Sequence, residues 1–241
     1  MDLPFNNTIS DALQAIENAP SILKVTEAFR GFAEAYGYTH FLCSAPPLPD
    51  EDPFSPLLFE RWPDVWLERY VGRRYFEQDP MVRQLFRTPH PFVWSEVMKA
   101  GDHSKEALTI MSEAAECGMV EGFVVPVFGV GGKAHVVTMS GAKVRFDPTA
   151  RKELHLVSMY AYARAMKLRK RSEPPVIQLS PRQTEALQWA AMGKTDSEIG
   201  DIMGVTENTA HKHIEEAKRR FGVATRMQAV VAAIRQGGIR I

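Results

Sequence analysis

Residues Ser180 to Val230 read SPRQTEALQWAAMGKTDSEIGDIMGVTENTAHKHIEEAKRRFGVATRMQAV. Helix starts recur along this stretch. In Ser180-Pro181-Arg182-Gln183 a Ser stands at the N-cap and a Pro at the first helical position. The Gln at the third position can reach back to the cap N–H. Thr195-Asp196-Ser197-Glu198 and Thr225-Arg226-Met227-Gln228 repeat the pattern, and Gly204-Val205-Thr206 makes a tight turn into a helix capped by Thr206. Four short helices, with a turn of a few residues between the second and third, predict a helix-turn-helix domain.

The helix after Thr206 carries the chemistry. Ala210, Ile214, Ala217 and Phe221 recur at steps of four, three and four and must face a core. Asn208, Lys212, Glu215 and Arg219 then face outward, with His211 on the flank. Hydrogen-bonding side chains near the N-terminus of such a helix suit base edges in a major groove, and cations further along suit phosphates. The free N–H groups at its start can also hold a phosphate. The expected DNA-contacting set is Thr206, Asn208, Thr209, His211, Lys212, Glu215 and Arg219. Two cationic runs, Arg164 to Arg171 and Lys212 to Arg226, read equally as solvated helix faces.

Upstream, Arg171-Ser172-Glu173-Pro174-Pro175 is polar and holds a Pro pair that cannot continue a helix. The expected division is residues 1–170 as a first domain, 171–178 as linker and 179–241 as the helix-turn-helix domain. The first domain mixes patterns. Ile22, Val25, Phe29, Phe32 and Tyr36 have helical spacing, while Tyr38–Ser44, Gly122–Phe128 and Ala134–Ser140 read as strands. Gly129-Val130-Gly131-Gly132-Lys133 has the composition of a hairpin turn. It lacks the Ser or Thr, the spacing and the following helix of a phosphate loop. A sheet covered by helices is the economical architecture. The helix Pro148–Lys170 carries a narrow seam of Leu154, Val157, Ala161, Ala165 and Leu168, which pairs either with a twin helix or with its own domain.

Composition narrows the classes. The chain has 241 residues, 45% hydrophobic and 24% charged, enough to bury a substantial core. Its longest apolar stretches, such as Gly122–Val130, fall short of a membrane span, and the polar start Met1–Ser10 does not read as a secretory signal. A cytoplasmic protein with no membrane partner is expected. Cys43 and Cys117 stand apart from other ligands, so neither a disulfide framework nor a metal site is expected. The formal net charge of zero argues neither for nor against nucleic acid.

Taken in order, Leu179-Ser180-Pro181-Arg182, Glu185, Leu187, Ala191, Gly193-Lys194, Glu198-Ile199, Thr209, His213, Lys218, Phe221-Gly222-Val223, Arg226 and Gln228-Ala229-Val230 resemble the DNA-binding module of LuxR-type regulators. Gln183 departs from the family's usual Glu, His211 from Lys, Asn or Gln, and Glu215 from a cation in several relatives. In the first domain, Trp66, Tyr70, Asp79-Pro80, Trp94, the run Gly118–Phe123 and Thr138 resemble the autoinducer-binding domain of the same family.

The resemblance implies an α+β protein: an α-β-α sandwich sensor with a central antiparallel sheet, then an all-α four-helix helix-turn-helix domain. It implies an acyl-homoserine lactone as regulatory ligand, with no cofactor. Trp66 would donate to the lactone carbonyl, Asp79 accept from the amide N–H and Tyr70 donate to the amide carbonyl. Thr138 would assist and Trp94 pack over the lactone ring. Trp62 stands where many relatives have Tyr, and Leu67 where some have Arg, which points to a pocket narrowed for a short, branched or aryl acyl group. The implied partners are double-stranded DNA read as an inverted repeat, a second copy of the chain, and RNA polymerase.

Two other readings compete. The same regulator could answer a non-lactone metabolite, and Asp79 with His103 or His135 could make a lactone hydrolase. A hydrolase would need a nucleophile elbow or paired metal-binding histidines, and the sequence has neither, so no enzymatic activity is expected.

Overall fold

The computed structural model describes residues 8–47, 54, 56–101, 104–128, 134–170 and 177–239, with Lys170 described by its backbone alone. The described residues fall into two compact units, divided after residue 170.

In the first unit, α1 (Ile9–Asn18) starts at a Thr8–Asp11 capping box and α2 (Ile22–Glu34) at Ser21. Then come β1 (His40–Ser44), β2 (Phe59–Arg61), α3 (Asp64–Gly72), a 3-10 turn Tyr75–Glu77, α4 (Pro80–Leu85), β3 (Phe92–Val93), α5 (Trp94–Lys99), α6 (Lys105–Glu116), β4 (Glu121–Phe128), β5 (Ala134–Gly141) and α7 (Pro148–Lys170). The strands form one antiparallel sheet in the order β2-β1-β5-β4-β3. Phe128 pairs with Ala134 at the end of the β4–β5 ladder; the expected turn at 129–133 lies outside the described residues, as does most of the expected linker.

Alternation along the strands gives each face of the sheet its own task. Phe41, Cys43, Phe123, Val125, Val137 and Met139 point to one side, where they pack with Phe29 and Phe32 of α2 and Leu154 and Val157 of α7. Leu42, Ser44, Val124, Val136 and Thr138 point to the other, where they floor a cavity roofed by α3, α4 and α6. The fold is therefore the expected helix-sheet-helix sandwich. The two readings of the α7 seam are now separated. Leu154, Val157, Ala161 and Ala165 are fully buried against α1, α2 and the sheet, with Leu168 packed beside them, so the α7 seam is consumed within its own unit. Its small alanines allow the close approach of those helices. Among its large apolar side chains, α7 leaves Leu156, Met159 and Tyr160 exposed.

The second unit comprises α8 (Pro181–Ala191), α9 (Asp196–Met203), α10 (Glu207–Phe221) and α11 (Arg226–Arg235), each opening at the expected cap: Ser180, Thr195, Thr206 and Thr225. Leu187, Ile199, Ile214 and Val230 meet in its core. Burying each such side chain stabilises by about 1.5–3 kcal/mol. Gly204 ends α9 with φ +65°. Gly200 lets α9 touch the start of α10: a Cβ there would lie 2.9 Å from the Val205 carbonyl oxygen and 3.0 Å from the Glu207 nitrogen. Gln183 is buried because its amide works twice. Its Oε1 accepts from the Ser180 N–H at 2.9 Å, and its Nε2 donates to Glu216 on α10 at 2.9 Å. A Glu at 183 would keep the first bond and set two carboxylates against each other at the second.

Candidate functional site

The cavity of about 110 Å³ on the helical side of the sheet gathers every ligand-site residue expected from sequence: Trp62, Trp66, Tyr70, Asp79, Trp94 and Thr138. Each arrives by a different route. Trp66 and Tyr70 are one turn apart on the buried face of α3, and Trp62 just precedes that helix. Their rings form one aromatic wall, with centroids 5.1 Å apart for Trp62–Tyr70, 5.6 Å for Trp66–Tyr70 and 6.3 Å for Trp62–Trp66. Trp62 meets Tyr70 in an edge-to-face arrangement, and both rings line the cavity.

Asp79 is held by the backbone. The Asp-Pro pair, legible in sequence only as a turn, is an N-cap followed by Pro at the first position of α4. One carboxylate oxygen accepts from the Met81 N–H at 2.7 Å, and the other accepts from the Tyr70 hydroxyl at 2.7 Å. Burial pushes this carboxyl up from its ordinary value, while the Tyr70 and Met81 bonds pull it down without cancelling the rise. Burial and the neighbouring Asp79 charge push the Tyr70 hydroxyl well above its ordinary value, so it remains a donor. The aromatic wall has its own brace. The Tyr75 ring packs on Trp66 and Tyr70, its hydroxyl donates to Glu113 of α6 at 3.0 Å, and Arg73 donates to both Tyr75 and Glu113. Burial raises the Glu113 carboxyl, but Tyr75 and Arg73 outweigh it and hold the group below its ordinary range.

Trp94 opens α5 and lies over β4, where its ring requires Gly122: a Cβ there would fall 2.2 Å from the indole. Its indole N–H is buried with no acceptor among the described residues. Thr138 lies on the sheet floor between Leu42 and Val124. Sequence reasoning missed Ser44, a buried hydroxyl lining the same cavity and donating to the Ala45 carbonyl at 3.2 Å. The strand alternation from Leu42 to Ser44 could have found it. His135 faces the other side of the sheet beside Tyr162, away from Asp79, so the geometry rules out that hydrolase pair. His103 lies outside the described residues.

On the second unit, α10 buries Ala210, Ile214 and Ala217 and exposes Asn208, His211, Lys212 and Arg219. The expected contact residues do not stand equally free. Thr206 caps the helix, accepting from the Thr209 N–H at 3.2 Å, and the two hydroxyls lie 2.8 Å apart. Glu215 accepts from Lys218 at 2.6 Å, a bond that holds its carboxyl below the ordinary range. His211 is bonded to Asp196 on α9. The Arg219 side chain is 79% exposed and only grazes Glu216 at 4.0 Å.

Among the described residues no helix is long and apolar enough to cross a membrane, and no group of three or more His, Cys, Asp or Glu could hold a metal ion.

Comparison with known proteins assigns both units. Residues 22–165 match the Autoinducer binding domain family, and residues 177–233 match the family described as Bacterial regulatory proteins, luxR family. The chain is 36% identical over 236 residues to the HTH-type quorum sensing-dependent transcriptional regulator RpaR of Rhodopseudomonas palustris, covering 96% of this chain and 93% of that protein. It is 32% identical over 228 residues to the transcriptional activator protein BjaR1 of Bradyrhizobium diazoefficiens, covering 93% and 94%. Its fold is similar to that of Escherichia coli SdiA, with a TM-score of 0.75, 19% identity and coverage of 97% and 98%. With a ligand-binding sandwich and a helix-turn-helix unit both matched, the chain belongs to the LuxR family of quorum-sensing, autoinducer-dependent transcription regulators that bind DNA.

Proposed function

We propose that the autoinducer is an acyl-homoserine lactone bound in the cavity of the first unit, and that it governs a homodimer reading an inverted repeat in DNA. The observation that carries the reading is the Tyr70–Asp79 pair, a carboxylate and a phenol bonded at 2.7 Å in a cavity lined mainly by apolar side chains. An amide enters such a pair by exchange. Its N–H takes the place of the Tyr70 O–H on Asp79, and the released hydroxyl turns to the amide carbonyl. No buried polar group is left unpaired, which would otherwise cost about 1–3 kcal/mol. Trp66 donates to the lactone carbonyl, Thr138 assists, and Trp94 covers the lactone ring. Trp62 narrows the acyl end and favours a short, branched or aryl group. The lactone is held without being opened.

Residues 1–170 then form the ligand-binding and dimerisation domain, 171–178 the linker and 179–241 the DNA-binding domain. The exposed Leu156, Met159 and Tyr160 share one face of α7 and offer an apolar surface to a second copy. In DNA, α10 enters the major groove with Asn208, His211 and Lys212 towards the bases, and Thr206, Thr209, Glu215 and Arg219 complete the contact set. Ligand shifts the population toward a dimer whose reading helices lie about one DNA turn apart. Such a regulator acts on the chromosome in the cytoplasm, with RNA polymerase as its downstream partner.

The test is mass spectrometry of small molecules extracted from the purified protein, followed by calorimetry with a panel of acyl lactones. A short, branched or aryl acyl lactone should bind most tightly. Tightest binding to a long 3-oxo chain would refute the acyl assignment, and no binding across the panel would refute the lactone reading.

A further inference from the structure

Asp196, the first residue of α9, receives bonds from two other helices. One oxygen takes the guanidinium of Arg226 from α11, and the other lies 2.8 Å from Nδ1 of His211 on α10. Arg226 also donates to the Lys194 carbonyl, so its fork grips the chain on both sides of the α9 cap and fixes where the carboxylate stands. An ionised carboxylate only accepts, so the proton of this contact belongs to Nδ1. In the neutral ring that leaves Nε2 as a lone-pair acceptor. The His211 side chain is 53% exposed, in the first half of the helix and next to Lys212. The neighbouring acid one turn on, Glu215, accepts from Lys218 and acts on the ring only as a nearby charge, with no hydrogen bond to it among the described residues.

We propose that His211 is a base-reading residue whose tautomer is set by Asp196, so that it accepts a hydrogen bond from a base amino group. In the major groove the groups that can donate to it are N6 of adenine and N4 of cytosine, whereas guanine presents only acceptors at that edge. Asp196 is the positioning residue. Without it the ring can turn over or present Nε2–H, and the discrimination at that base pair is lost. The inference rests on α10 being the groove-reading helix.

The test uses the full chain with the lactone that binds it most tightly in the panel above. A site is selected from a randomised duplex pool, and all four base pairs are then compared at each position. Wild-type protein should discriminate at one base pair of each half-site, and removing the exocyclic amino group of the adenine or cytosine in that pair with a base analogue should abolish the discrimination. His211→Ala should lose that preference, about tenfold. Asp196→Ala should lose it at the same position, and the double variant should lose no more. Asp196→Asn, which keeps an acceptor oxygen, should retain it.

If Asp196→Ala weakens binding evenly across all sequences and leaves the preference intact, the positioning role is wrong. If the preference lost in His211→Ala survives in wild-type protein when the exocyclic amino group of the adenine or cytosine at that pair is removed, the acceptor role is wrong. Nitrogen-detected NMR of His211 in the wild-type chain gives a check independent of any variant: the Nδ1–H tautomer supports the proposal and the Nε2–H tautomer overturns it. If Asn208→Ala and Lys212→Ala weaken binding while His211→Ala changes no preference, this inference fails and the α10 reading stands. If none of the three matters, the α10 reading itself fails.

Discussion

The cavity of the first unit and the outer face of α10 both present polar side chains for recognition, under opposite physical conditions. In the cavity they are few and shielded from water, and Asp79 and Tyr70 already satisfy each other. On α10 they are numerous and more open to solvent, and several are tied to neighbours in half-exposed pairs such as Glu215–Lys218 and His211–Asp196. A buried group left without its partner bears the full desolvation penalty, whereas an exposed charge is screened and rehydrated at little cost. Loss of one group should therefore be severe and salt-independent in the first unit, and mild and salt-dependent in the second.

The sharpest challenge to this contrast is Asp79→Ala, which strips the acceptor from the Tyr70 hydroxyl and the Met81 N–H as well as from a ligand amide. Ligand affinity should fall by about 100-fold, close to 3 kcal/mol, with little change between low and high salt. Calorimetry at two ionic strengths decides it, and a strong salt dependence would break the comparison. Gly122→Ala comes next. Its methyl group would collide with the Trp94 ring, which must leave its seat over β4 at a cost of about 1–3 kcal/mol. Thermal unfolding should show the loss in the first unit while DNA-unit unfolding stays put.

Lys212→Ala should be gentler, weakening DNA binding about fivefold at low salt and lowering the slope of log affinity against log salt by about 0.9. Ligand uptake should be untouched, and a change in both would sink the division of labour. The smallest effect expected is in pH dependence. Because the folded Asp79 carboxyl titrates above its ordinary 3.8, it costs the folded state stability once ionised. That cost is present above the folded value and vanishes as pH falls through it toward 3.8. Wild-type stability relative to Asp79→Asn should therefore rise as pH is lowered across that window, measured by denaturant unfolding.

The same contrast explains what could be read from the sequence. The α8–α11 module was legible almost to the residue, because capping boxes and the Ala210, Ile214, Ala217 spacing are local signals written within a few positions. The strands Gly122–Phe128 and Ala134–Ser140 were equally plain from their β-branched runs. The ligand-site aromatics and Asp79 were named through the family likeness, since residues on α3, α4, α5 and β5 meet only when the sheet assembles. For that reason the Tyr70–Asp79 bond, the Tyr75–Glu113 brace and the demand of Trp94 for Gly122 could not be seen beforehand. The α7 seam stayed open between two readings for a related reason. Its pattern stated that one face is buried but not by what, and α1 and α2 cover it. His211 and Glu215 were read as freely displayed because helical spacing shows which way a side chain leaves the helix and is silent about a neighbour waiting there.

Gly200 has a consequence for how this regulator can change over evolutionary time. The atoms that a methyl group would strike belong to the main chain at Val205, Thr206 and Glu207, so no rotamer adjustment could make room. The close approach of α9 to the start of α10 is thus set by peptide against peptide. Under the proposed role of α10, exposed positions such as Asn208 and Lys212 lie outside this main-chain contact, so the surface letters can change while the scaffold is kept.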